Sequence, residues 1–466
     1  MTRRLLTILL GCAGLACAAA QAPESGPAPE AAAPAAAEHP DAWASTYRPM
    51  PNPPVVIRNA TILTAAGPAI RGGSILLQDG KIAALGPDVD VPAGATTIDG
   101  AGKYVTPGII DTHSHIGVYP NPGVRAHSDG NEATDPTTPE VWAEHSFWPQ
   151  DPNISRALAG GVTTIQVLPG SANLMGGRSV TVKLVPGRTV EEMKFPGAPY
   201  GMKMACGENP KRVYRNRGPS TRMGEFADDR QEFQRAVEYK RRWDRWERER
   251  KGDPPSRDLG METLKGILEG KIHPQIHCYR ADEMVHMINL SKEFDFRIRS
   301  FHHAVEAYKI RDFLAREEVS ASMWADWWGF KMEAYDAVRA NVALVHDAGA
   351  RAIVHSDSED GIQRLNQEAA KAMAAGRAAG IEITEEDAIR WITINPAWAI
   401  GVDDHTGSLE PGKMADVVVW SANPLSVYAK AEKVFIDGAL VYDRSDPARQ
   451  PISDFEKGQV PVERMR

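Results

Sequence analysis

A chain of 466 residues is longer than one ordinary domain and suits a large barrel with a small domain attached. With 42% hydrophobic and 24% charged residues it reads as a soluble globular protein. A net charge of −8 speaks against a nucleic-acid partner, and the basic residues from Lys240 to Lys251 are interleaved with acids.

The N-terminus has the layout of a secretory signal over residues 1–22: Arg3 and Arg4, an apolar run from Leu5 to Leu10, then small residues from Ala18 to Ala22. It is too short to span a membrane. The expected location is therefore outside the cytoplasm, in the periplasm. Leu9-Leu10-Gly11-Cys12 leaves a lipid-anchored form open as the alternative. Residues 23–54 are rich in Ala and Pro and read as a linker.

From Val55 the chain changes to short β-like pieces, Val55 to Leu63, Ser74 to Gln78 and Lys81 to Leu85, with a hairpin signal at Gln78-Asp79-Gly80-Lys81. The texture returns at Asp416 to Trp420 and at Val434 to Val441, where Ile436-Asp437-Gly438-Ala439 predicts a second hairpin. Residues 55–105 and 402–445 are thus expected to form one composite β-sandwich domain, followed by a tail over 446–466. Between them, strand-like pieces end at His115, Leu168, Cys206, Cys278, His303, Trp324 and Ser356, most of them separated by helical stretches. That rhythm predicts an α/β architecture, a (β/α)8 TIM barrel over residues 106–401, with its chemistry at the C-terminal strand ends. Glu225 to Lys251 predicts a long helix with one face on the barrel and one in solvent; a lid or a subunit contact, and with it a homo-oligomer, is the other reading. Cys206 and Cys278 read as buried thiols, with a disulfide as the alternative.

The run Gly108-Ile109-Ile110-Asp111-Thr112-His113-Ser114-His115 ends in a His-X-His pair. Residues two apart on a strand share a face, so both imidazoles point the same way, an arrangement that suits a divalent transition metal. His277, the His302-His303 pair and Asp357 follow at later strand ends, and their recurrence is the signal. Adjacent strand residues point oppositely, so only one of His302 and His303 is expected to face the site.

Together with Gly160-Gly161-Val162-Thr163-Thr164, Asn395-Pro396-Ala397 and Gly407 to Lys413, these motifs resemble the amidohydrolase superfamily, in its imidazolonepropionase- and prolidase-like branch. The resemblance implies that His113 and His115 bind one metal. It implies that His277 and His303 bind a second or contact substrate, and that Asp357 is both ligand and general base and acid. His303 is preferred to His302 because Ala304-Val305-Glu306-Ala307 follows it. The bridging ligand is either Lys203, carboxylated, or Glu208. The family's Gly-Gly after that lysine is replaced by Gly207-Glu208-Asn209, which tilts the reading to Glu208.

The implied cofactor is a divalent metal, with Zn2+ expected, one or two per chain. It would lower the pKa of water from ~15.7 to about 7. Arg178, Tyr279 and Arg280 are candidate substrate contacts. Trp324, Trp327 and Trp328 read as core, His355 as a residue behind the ligands, and His127, His145, His286, His346 and His405 as packing or surface residues. The expected reaction is hydrolysis of a C–N bond, an amide of a small peptide, N-acyl amino acid or cyclic amide, by metal-activated hydroxide, and not endoproteolysis. Deamination of a heterocyclic amine is the runner-up, and a non-catalytic binding protein on the same barrel is the rival from another class.

Overall fold

The computed structural model describes residues 43–449, so the signal and most of the expected linker and tail lie outside the described residues. Strands β1 (Val55–Ile62), β2 (Ile70–Gln78), β3 (Lys81–Gly86), β4 (Thr96–Asp99) and β5 (Tyr104–Pro107) come from one end of the chain. Eight further strands, β6 (Ile109–Ser114), β7 (Val162–Val167), β8 (Met175–Lys183), β9 (Gly201–Ala205), β10 (His273–Cys278), β11 (Ser300–His303), β12 (Ser320–Met323) and β13 (Ala352–Val354), follow in the middle. The last three, β14 (Val417–Trp420), β15 (Ala431–Ile436) and β16 (Ala439–Asp443), return to the first set.

The two chain ends meet in one sheet of order β16-β15-β14-β5-β1-β2-β3, with β4 paired to β1. Its core includes Ile57, Ile62, Val105, Val417 and Phe435. Both predicted hairpins form, and each carries a positive-φ pair at its tip, Asp79 (52°) with Gly80 (76°) and Asp437 (47°) with Gly438 (75°). Such pairs match the twist of the strands they join. The topology is one composite sheet; a two-layer sandwich is not established by it.

The middle strands form a second eight-stranded sheet in sequence order. All its pairings are parallel except those of β8, which runs against both β7 and β9. The barrel is therefore a nearly closed α/β variant of the expected all-parallel cylinder. Between β13 and β6 the gap is bridged through Trp391 and Ile392, whose carbonyls accept from Val354 N (3.0 Å) and Ile110 N (2.9 Å). Gly108 has no side chain because Thr163 leaves no room: a Cβ there would stand 2.1 Å from Thr163 Oγ1.

The reversed strand also ties the two sheets together. Lys183 at its end is fully buried, with Nζ 2.7 Å from Asp437 Oδ2 and 3.2 Å from Asp416 Oδ1. Tyr47 donates to the same Asp437 carboxylate. Ser45 Oγ and Asn52 Nδ2 donate to Lys194 O (2.7 Å) and Gly438 O (2.9 Å), so the end of the Ala/Pro-rich stretch lies docked against the body.

The long helix spans Arg222–Glu249 and packs Phe233 between Phe294 and Phe296, at centroid distances of 5.6 and 4.5 Å. Its buried stripe begins with two acids, Glu225 and Asp229. No helix among the described residues is long and apolar enough to cross a membrane.

Cys206 and Cys278 are joined in a disulfide, which corrects the reading of two free thiols. They sit at the ends of neighbouring parallel strands, and Cys206 N donates to His277 O (3.0 Å), so their Cα atoms stand 5.4 Å apart, within bridging range.

Candidate active site

The C-terminal ends of β6, β10, β11 and β13 bring six histidines and Asp357 together. Asp357 Oδ1 lies 3.5 Å from His113 Nε2 and 3.2 Å from His115 Nε2, and Asp357 Oδ2 lies 3.7 Å from His303 Nδ1. His303 Nδ1 is 3.0 Å from His355 Nε2, and the His277 and His303 rings are 4.6 Å apart. Within this cluster two groups have their ligand atoms close enough to share an ion: His113, His115 and Asp357, and His113, His303 and His355.

The backbone is bent to make this convergence. His303 (φ 68°), Ala304 (31°) and Asp357 (50°) are all left-handed, a conformation that non-glycine residues adopt at a cost. Asp111 sets the turn that carries Asp357. Its carboxylate accepts from His113 N (3.1 Å), Ser356 N (3.2 Å) and the Ser356 hydroxyl, while Asp357 N donates to His113 O (3.0 Å). Burial pushes the Asp111 carboxyl up to about 6.

The site holds neutral imidazoles. Burial, with the Lys203 charge and the neighbouring rings adding to it, drives His113 well below its ordinary value, and burial does the same to His277, His302 and His303. His355 is brought down to about 4 by burial. Uncharged at neutral pH, each keeps a lone pair. His113 Nε2, His277 Nδ1 and His355 Nδ1 are buried without a hydrogen-bond partner. Unmatched buried nitrogens of this kind call for a ligand. Ligand atoms ~2.0–2.1 Å from a tetrahedral zinc stand roughly 3.3–3.4 Å from one another. The His113–Asp357 and His115–Asp357 separations of 3.5 and 3.2 Å fit that spacing.

Both members of the His302-His303 pair face the barrel interior, which corrects the expectation that only one could. The left-handed turn at His303 breaks the pleat alternation. His302 bridges His113 Nδ1 (2.9 Å) and Gln275 Oε1 (2.8 Å), so it holds the His113 ring rather than Asp357. His115 is held likewise by Leu168 O (2.8 Å). His355, expected behind this group, lies within it, close to His113 and His303.

Lys203 is fully buried in the barrel, donates to Pro169 O (2.8 Å), and has its pKa lowered to about 7 by burial. Glu208 stands apart. It opens the helix Glu208–Tyr214, its backbone N–H donates to Glu333 Oε1 (2.8 Å), and its carboxylate lies 3.7 Å from Lys331 Nζ.

Of the three substrate candidates, Tyr279 lies at the site, edge-on to His277 at 4.6 Å, and burial raises its hydroxyl pKa. Arg178 donates to Thr263 Oγ1 (2.8 Å) and stacks on Trp142 at 4.3 Å. Arg280 pairs with Asp282 (2.7 Å) and is 40% exposed. Neither guanidinium joins the histidines.

Trp324 stacks on His303 at 4.4 Å, a contact that the reading of the tryptophans as core did not foresee. His127, His145, His286, His346 and His405 each pack against an aromatic ring away from this group.

Residues 269–441 match the model of the Amidohydrolase family. Amidohydrolase tasK of Hapsidospora irregularis is 34% identical over 452 residues, which cover 88% of this chain and 45% of that protein, so the chain spans less than half of its length. A D-hydantoinase of Geobacillus stearothermophilus is 48% identical over 61 residues, 13% of this chain and 12% of its own. The crystal structure of an amidohydrolase from Thermotoga maritima is 37% identical and superimposes with a TM-score of 0.78 over 84% of this chain and all of its own. The chain belongs to the amidohydrolase family of metal-dependent hydrolases.

Proposed function

We propose that this protein is an exported hydrolase that cleaves the amide C–N bond of a small peptide, N-acyl amino acid or cyclic amide. The observation that carries the reading is the convergence of His113, His115 and Asp357 at the spacing of a metal's ligands, beside buried histidine nitrogens that have no other partner. His113, His115 and Asp357 would hold one ion. His277 and His303 would hold a second, with Lys203 as the bridge. Lys203 is preferred to Glu208 because it is the buried group whose charge acts on His113 and His277, whereas Glu208 is engaged by Lys331.

A divalent ion, when bound, supplies Lewis acidity and makes a water acidic enough to ionise near neutral pH. Asp357 accepts the water's proton as the oxygen bonds to the amide carbon, and delivers a proton to the nitrogen as the C–N bond breaks. A linear amide yields one carboxylic acid and one amine; a cyclic amide yields a single molecule that carries both groups. Tyr279, kept protonated by burial, can donate to the oxygen on which charge develops. The turn set by Asp111 keeps Asp357 aimed between the two imidazoles.

Export is supported by the Cys206–Cys278 disulfide, which persists in oxidising compartments. The test is to load the protein with zinc, measure metal per chain, and screen dipeptides, N-acyl amino acids and cyclic amides for release of amine. Retention of zinc with turnover of at least one of these is expected. Protein that binds no divalent ion, or that binds zinc and turns over none of them, would refute the proposal.

A further inference from the structure

Resting on the amide-hydrolase reading above, we infer that the residue released from the nitrogen side of the scissile bond is an amino acid with a free carboxylate and a large apolar side chain. Lys331 would bind the carboxylate, and Trp327 and Phe330 the side chain. The loop after β12 carries an aromatic chain outward from the ligand histidines. Trp324 stacks on His303 (4.4 Å), Trp327 packs on Trp324 (4.7 Å), and Phe330 packs on Trp327 (5.3 Å). The inner end is anchored, since Trp324 Nε1 donates to Ser356 O (3.1 Å), next to Asp357. The outer end is open: Trp327 is 47% and Phe330 49% exposed. Large apolar surface left in water at the end of a chain that begins on the ligands is surface a substrate can cover.

A cation completes this wall. Lys331 Nζ lies 4.3 Å from the centre of the Tyr279 ring and 5.8 Å from that of Phe330, and its side chain is only 18% exposed. It makes one hydrogen bond, to Asn209 Oδ1 (2.8 Å), and one longer ion pair, with Glu208 Oε1 at 3.7 Å. An ammonium has three donors, so capacity remains for an incoming carboxylate.

Through Asn209, whose Nδ2 stands 3.4 Å from His277 Nε2, the cation adjoins the ligand set. Its charge acts on His277, and the Asp357 carboxylate acts on it. Arg178 and Arg280 are committed elsewhere, to Thr263 with Trp142 and to Asp282. A cation and an aromatic face on one short loop match a carboxylate and a side chain carried on the same carbon.

The loop is held in place for this purpose. Glu333, two residues beyond Lys331, accepts from Glu208 N (2.8 Å) and pairs with Arg222 of the long helix. Gly207 leaves the space that Glu333 occupies: a Cβ there would stand 2.7 Å from Glu333 Oε1.

The test uses the zinc-loaded full chain and three single-amide substrates: N-acetylphenylalanine (both enantiomers), N-acetylphenethylamine, which lacks the carboxylate, and N-acetylalanine, which lacks the ring. The wild type is expected to prefer N-acetylphenylalanine to each of the others by about tenfold or more in kcat/KM. Lys331→Met should lower the first preference at least about tenfold, mainly through KM, and Lys331→Arg should restore most of it. Trp327→Ala should lower the phenylalanine-to-alanine preference by several-fold. A wild type that cleaves all three equally, or a Lys331→Met enzyme whose preference for the carboxylate is unchanged, overturns the inference alone. No cleavage of these or of any other small amide overturns the reading of the site as an amide hydrolase, and the inference falls with it.

Discussion

The sharpest prediction concerns Lys203. A free lysine titrates near 10.4, so at pH 8 only about 0.4% of it is amine. Burial lowers Lys203 to about 7. At pH 8 roughly nine-tenths of it is then amine, on the order of 200-fold more than in water. An amine is what attacks CO2: nitrogen bonds to carbon, a proton leaves, and a buried neutral amine becomes an anion among neutral histidines. The protonation sign follows from the same shift. The unfolded chain keeps this proton to ~10.4, so the metal-free fold gains up to ~1.4 kcal/mol per pH unit as pH climbs from about 7 toward that value.

The assay is metal content and 13C NMR on chelator-stripped protein given Zn2+ with or without 13C-bicarbonate at pH 8. Two metals and one labelled carbamate per chain are expected with bicarbonate. Fewer metals are expected without it, and no label and at most one metal in Lys203→Met. Glu208→Gln should leave the metal count unchanged. Two metals bound without label, or Lys203→Met that still binds two, would refute the reasoning; loss of the second metal in Glu208→Gln would transfer the role to that carboxylate.

Asp357→Asn is expected to lower kcat/KM by about 10²–10⁴-fold while the far-UV circular dichroism stays that of the wild type. Asparagine tolerates the left-handed backbone that Asp357 adopts (φ 50°), so unfolding of this variant would contradict the account of the turn. Lys183→Met leaves Asp416 and Asp437 facing each other in a buried site and should cost about 3–5 kcal/mol, read as a lower urea midpoint. An unchanged midpoint would show that the pair does not join the sheets. Reducing the Cys206–Cys278 bridge, 72 residues apart, should cost up to about 4 kcal/mol by loop entropy, read as a lower melting temperature in reductant. Equal melting with and without reductant would show that strand pairing alone holds β9 to β10.

What could be read from the sequence was local. A strand's period of two, its end, and the ligand-type residue at that end lie within a few positions of one another, which is why β6, β10, β11 and β13 and their histidines were legible. What escaped depends on contacts remote in sequence. β8 opens with Met175-Gly176-Gly177-Arg178, poor strand formers, and is joined to its neighbours without the helices that mark parallel crossovers, so nothing in the sequence marks it as a strand.

Strand alternation lets only one of His302 and His303 face the interior; it fails where His303 turns left-handed, and no residue type at that position announces the turn. Glu208 looked like a ligand because it follows the strand. The carboxylate is drawn off by Lys331, 123 positions later, on a loop whose register to the barrel only the fold sets. The same loop supplies Trp324, Trp327 and Phe330, which as a bare sequence are indistinguishable from core. The histidine cluster is thus written on strand ends, where backbone geometry brings its members together. On the proposal above, substrate preference lies on the loop that Arg222 and Glu333 tie down, and an alteration there should change what is cleaved while leaving the metal count as it was.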